Sequence, residues 1–145
     1  MNNSNHEDKK NELKYRHKQS EFVNFMIMQG LVAASADFSW LPMVQDDQMR
    51  RHLISEHRSV ERQTFMSIIQ VCQIVHEWIY QHDSPLICFI PNVGALLAEY
   101  SKFVDAIDFF SELINDVLLL SDLAMTSSIR AEEFDGMYYV SIVTP

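Results

Sequence analysis

The sequence predicts an α+β fold, mainly helical, that closes on a C-terminal β-hairpin. Three observations carry this expectation. Apolar residues recur at three- and four-residue steps along residues 59–80, through Phe65, Ile68, Ile69, Cys72, Val75, His76 and Ile79. A second stripe of the same period runs through Phe103, Val104, Ile107, Phe110, Leu113 and Ile114. After Leu120 the period drops to two, and Asp135-Gly136 stands between two strand-like runs as a hairpin turn would.

Each element follows in order. Residues 1–20 hold almost no apolar side chain and set five basic residues (Lys9, Lys10, Lys14, Arg16, Lys18) against three acidic ones, so they are expected as a flexible polar tail. Residues 21–145 then form a single helical domain ending in the hairpin. Ser20 caps a first helix that places Phe22, Phe25 and Met26 on one stripe and ends near residues 30–36. Asp37 caps a short turn over Phe38-Ser39-Trp40-Leu41, which Pro42 stops because it has no N–H to donate. A third short helix is expected from Asp46 or Asp47 to Ser55.

The 59–80 helix is read as the central one, and His82-Asp83-Ser84-Pro85 breaks it. Residues 86–90 read as an apolar connector, and Pro91-Asn92 opens a helix over 93–100. Ser101 caps the second strong helix, which turns Asp105, Asp108, Glu112 and Asp116 to water and ends by about Leu120. Met125, Ser127, Ile129 and Ala131 then alternate with Thr126, Ser128 and Arg130, and residues 137–143 are rich in Tyr, Val and Ile. A lone hairpin is marginal in water, so this one needs a helix, a dimer partner or further sequence against it.

A chain of 145 residues, 48% hydrophobic, has the size and composition of one domain with a real core. Twenty acidic against eleven basic residues give a formal charge of -9, a field that repels polyphosphate, so no direct nucleic-acid binding is expected. Cys72 and Cys88 could form at most one bridge and lie in no CxxC spacing, which fits a reducing cytoplasmic setting. The polar start lacks the apolar stretch of a secretory signal, and no run approaches the roughly 20 apolar residues of a membrane span, so no membrane association is expected.

Candidate chemistry is sparse. Cys72 and His76 share a helical face, with His52, His57 and His82 as conceivable third ligands, but the apolar stripe already claims that face, and no metal is expected. There is no Gly-x-Ser-x-Gly elbow, GxGxxG, P-loop or His-Glu-x-x-His, so no catalytic residue, no cofactor and no enzyme activity is expected. One feature opposes the acidic background: Arg50, Arg51, Arg58 and Arg62 fall with His52 and His57 within thirteen residues. Arg51, Arg58 and Arg62 are the candidate contacts for a carboxylate ligand or an acidic partner, since guanidinium forks suit carboxylates. The plainer reading is a salt-bridged surface shared with Glu56 and Glu61. Eight methionines and nine phenylalanines could line an adaptable pocket or simply fill the core.

Gly94-Ala95-Leu96-Leu97-Ala98-Glu99-Tyr100, then Phe103-Val104-Asp105-Ala106-Ile107-Asp108-Phe109-Phe110, then residues 118–143 resemble, in order, the N-terminal sensing domain of AraC-type transcriptional regulators of the arabinose-binding-like group. That family sets a short Gly-Leu-rich helix before a helix with an Ala-Leu or Ala-Ile pair and then a β-hairpin; Ala106-Ile107 would be the pair. Upstream, Gln29-Gly30-Leu31 through Asp37-Phe38-Ser39-Trp40-Leu41 resembles the first helix and its Asp-containing turn, and residues 59–80 the central helix. The resemblance implies a non-enzymatic ligand-sensing or dimerisation module without its own DNA-binding domain. Its expected partners are a small-molecule effector and either a second copy or a full-length regulator. The alternative is a small acidic helical interaction or inhibitor protein that meets a basic partner through Asp105, Asp108, Glu112 and Asp116.

Overall fold

The computed structural model describes residues 2–32, 38–82, 85–98 and 112–145. In chain order the elements are α1 (Asn2–Met28), β1 (Ser39–Trp40), α2 (Met43–Arg58), β2 (Gln63–Phe65), α3 (Ile68–Gln81), β3 (Leu86–Ile90), β4 (Gly94–Ala98), β5 (Val117–Ser121), β6 (Ser128–Phe134) and β7 (Met137–Val143). The strands form one seven-stranded antiparallel sheet in the order β1-β4-β3-β5-β6-β7-β2. The expectation of a mainly helical domain with only a terminal hairpin is therefore corrected: the hairpin is two strands of a sheet that organises the whole chain.

Three segments account for the correction. Residues 86–90, expected as a connector, are β3, and all five are buried because helices cover both faces of the sheet. A strand buried on both faces reads as a continuous apolar run, without the alternation that marks a half-buried one. Residues 94–98, expected as a helix from their Ala and Leu content, are β4, paired with β3 from Leu86↔Ala98 to Ile90↔Gly94. Residues 117–121, expected as the last turn of a helix, are β5, paired with both β3 and β6. In the last two, tertiary pairing overrides a helix preference that is worth only tenths of a kcal/mol per residue. Most of the expected second strong helix, with Asp105, Asp108 and the Ala106-Ile107 pair, lies outside the described residues.

The β6–β7 hairpin runs in register from Ser128↔Val143 to Phe134↔Met137. Its two-residue loop holds Asp135 at φ 53° and Gly136 at φ 79°, the left-handed pair that a type I′ turn requires. The central helix begins later than its apolar period suggested: residues 63–65 form edge strand β2 on β7, and Ser67 then caps α3, its Oγ accepting the Ile69 N–H at 3.2 Å. α2 is longer than the short helix expected there. The polar opening stretch, expected as a tail, forms the first turns of α1.

Alternation along the strands divides the core. Leu86, Cys88 and Ile90 of β3, Leu118 and Leu120 of β5, Ile129 and Ala131 of β6 and Val140 of β7 face Val71, Cys72, Val75, Trp78 and Ile79 of α3. Ile87, Phe89, Ala95 and Leu119 point to the opposite face and pack with Leu53 and Met49 of α2. Each fully buried large side chain contributes roughly 1.5–3 kcal/mol of transfer free energy. α1 adds Met26 and Phe22 to the α3-side core and makes a polar contact near its middle, at Tyr15.

Candidate functional site

The contact between α1 and the sheet is built on Gly94. A Cβ at this position would lie 2.7 Å from both Gln19 Nε2 and Tyr15 Oη, so the glycine leaves the space into which these two α1 side-chain ends reach at the start of β4. From that seat Tyr15 reaches α2, its hydroxyl donating to Asp46 Oδ2 at 3.0 Å. Asp46 is 3% exposed, and Arg50, one turn further along α2, donates Nη2 to its Oδ1 at 3.0 Å. The same guanidinium donates to the carbonyls of Ile90 at 3.2 Å and Gly94 at 3.5 Å and lies 5.8 Å over the Phe89 ring. One clasp thus ties α1, α2 and the β3–β4 turn. Burial, with the Asp46 charge and hydrogen bond, raises the Tyr15 pKa well above that of a free phenol, against weaker opposing pulls from the Ala95 N–H and Arg50. The phenol stays protonated and keeps its proton for Asp46.

Cavities flank this clasp on both sides. A cleft of about 690 Å³ opens between α1 and residues 38–43, with Gln19, Arg16, Ser20 and Val23 on the helical wall and Phe38 and Trp40 opposite. A second space of about 470 Å³ lies between Lys14 and Lys18 of α1, Asp47 and Arg50 of α2, and Asn92. Tyr15 and Met43 line both. In the larger cleft Arg16 is engaged by Glu12 at 3.4 Å, and Trp40 meets Phe22 edge to face at 6.1 Å. Gln19 is 7% exposed, yet its amide nitrogen has no hydrogen-bond partner. Leaving such a buried donor unmet costs about 1–3 kcal/mol, which a guest bearing an acceptor would recover.

A second polar node lies at the far end of α2. The His57 ring is buried between Ser141, 2.7 Å from Nδ1, and Ser128, 2.7 Å from Nε2. Burial first, and then the charge of Arg130, lowers its pKa to about 4, so the ring is neutral at pH 7. A serine hydroxyl against an imidazole is the geometry of an activated nucleophile, but all three side chains are 3% exposed or less and no substrate reaches them. The node fastens α2 to β6 and β7.

The candidate arginines do not converge. Arg62 pairs with Glu132, a partner other than the Glu56 and Glu61 of the plainer reading, at 3.4 Å and lies 5.0 Å over the Tyr139 ring. Arg51 and Arg58 stand exposed on α2, and among the described residues neither enters an ion pair. Cys72 and His76 share α3, but His57 lies across the sheet from them and His82 stacks on Trp78 at 4.1 Å. The sequence shows Arg50 as part of the basic cluster but not its partner Asp46, nor Tyr15, which donates to that carboxylate; the one local signal was the four-residue spacing of Asp46 and Arg50.

No family model, no curated protein and no solved structure matches the chain. Of the segments that carried the AraC-type resemblance, residues 94–98 are a strand rather than a short helix, while the C-terminal hairpin is present.

Proposed function

We propose that the chain is a non-enzymatic ligand-sensing module in which α1 is the reporting element. The observation that supports this most is the clasp itself: α1 is fastened near its middle by Tyr15, whose hydroxyl donates to Asp46, beside a cleft of about 690 Å³ that α1 itself walls. A small molecule in that cleft contacts the helix and the sheet together. It therefore favours the docked arrangement of α1 over the undocked one, and that difference in affinity is what a sensor needs. A partner, whether a second copy or a regulator of the AraC type, would read the position of α1.

The proposed setting is the cytoplasm. Cys72 and Cys88 are both buried thiols, and burial pushes Cys88 up to about 12, which keeps it protonated and inert. No helix among the described residues is long and apolar enough to cross a membrane. The sensing reading is tested by hydrogen exchange of the α1 amides with and without the small-molecule fraction of a cell extract. Slower exchange confined to α1 and residues 38–43 is the expected result, and an α1 indifferent to every fraction contradicts it.

A further inference from the structure

We propose that the α1 cleft takes a neutral, planar aromatic molecule carrying a hydrogen-bond-accepting oxygen, such as an aromatic amide or ketone. This rests on the sensing reading above and adds the chemistry of the ligand. Three properties of the cleft define that class. Its non-helical wall is apolar and partly aromatic, formed by Phe38, Trp40, Leu41 and Pro42, which favours a flat apolar body. Its charged lining residues, Glu12 and Arg16, neutralise each other, so the cleft offers no net charge to an ionic guest, and the whole chain at -9 repels anions. Its polar floor is Gln19, whose amide nitrogen is buried against Gly94 with its hydrogen-bonding capacity unspent. The terminal torsion of a Gln side chain is soft, so a small turn carries the N–H from the Gly94 backbone to an oxygen in the cleft. Tyr15 cannot serve in its place, because its hydroxyl proton is committed to Asp46. A guest accepting from Gln19 while its ring lies along the aromatic wall would bridge the helix and residues 38–43.

The test is an NMR titration of the full chain with benzamide, benzoate and aniline, followed at the Trp40 indole and the Gln19 side-chain amide. Benzamide is expected to shift both signals and to bind about tenfold tighter than aniline, which lacks the acceptor. Gln19→Leu should weaken benzamide by about tenfold, with circular dichroism confirming the fold. Equal binding of aniline, tighter binding of benzoate, an unchanged benzamide affinity in Gln19→Leu, or no binding of benzamide each overturns the ligand class. Hydrogen exchange on the same samples separates the two readings. Benzamide bound with α1 exchange unaltered would contradict the sensing function and leave the ligand class standing, whereas failure to bind would remove the ligand class and leave α1 to be tested with other molecules.

Discussion

β3 and α1 show two ways of holding a segment in this fold. β3 is buried on both faces, paired on both edges, and contributes Ile87, Phe89, Cys88 and Ile90 to two cores at once. α1 has more than five times as many residues, yet Met26 is its one buried apolar side chain among the described residues, and it is tied near its middle by a clasp of Tyr15, Asp46 and Arg50. The lesson is that length is a poor guide to stability: buried apolar area sets the free energy of opening, and segments with little of it open first. A sensor needs such a pairing, with a rigid sheet and an element cheap enough to move.

The comparison is broken most severely by damaging the sheet. Phe89→Ala removes a side chain that is 1% exposed and also supports the Arg50 guanidinium, so a loss of about 3–5 kcal/mol is expected in denaturant unfolding, shared by every element. Asp46→Ala takes the paired carboxylate from Arg50, which keeps only backbone carbonyls, and leaves the Tyr15 hydroxyl without its acceptor. It should cost about 3 kcal/mol and speed exchange in α1 more than in β5.

Acid should act on the far node in the same range. The His57 pKa is lowered to about 4 in the folded chain against about 6.5 when unfolded, so the unfolded state binds more protons between those values. The contribution of His57 is complete above about pH 6.5 and lost as the pH falls toward 4, a change of about 3 kcal/mol that His57→Gln should remove from the pH profile of unfolding. Tyr15→Phe is the sharpest probe and the smallest in global terms. One hydroxyl is lost, about 1 kcal/mol, but the change falls on the clasp and should appear as faster α1 exchange.

How much of this was legible in the sequence depended on whether the causes were local. The hairpin was legible because Asp135-Gly136 is what a two-residue turn with both φ positive demands. α3 was legible because Cys72, Val75 and Ile79 bury one stripe against a sheet. Leu86–Ile90 and Val117–Ser121 were misread because burial on both faces erases alternation, leaving apolar runs that suit a helix or a linker equally well. Gly94–Ala98 was misread because Ala and Leu favour helix and nothing nearby announces the pairing with β3. The clasp was hidden for a related reason. Asp46 and Arg50 are one turn apart, but Tyr15 is 31 residues from Asp46, and a polar start rich in Asn and Lys reads as solvated chain.

The central proposal, that α1 opens more readily than the sheet and so can act as the reporting element, is tested most directly by native-state hydrogen exchange of the chain and its Tyr15→Phe variant. The account predicts that amides of residues 12–26 exchange through an opening well below the global unfolding free energy, that Tyr15→Phe lowers that opening further, and that β3 and β5 still exchange only by global unfolding. If α1 and β3 share a single opening free energy in both proteins, α1 is part of the core and does not report on anything.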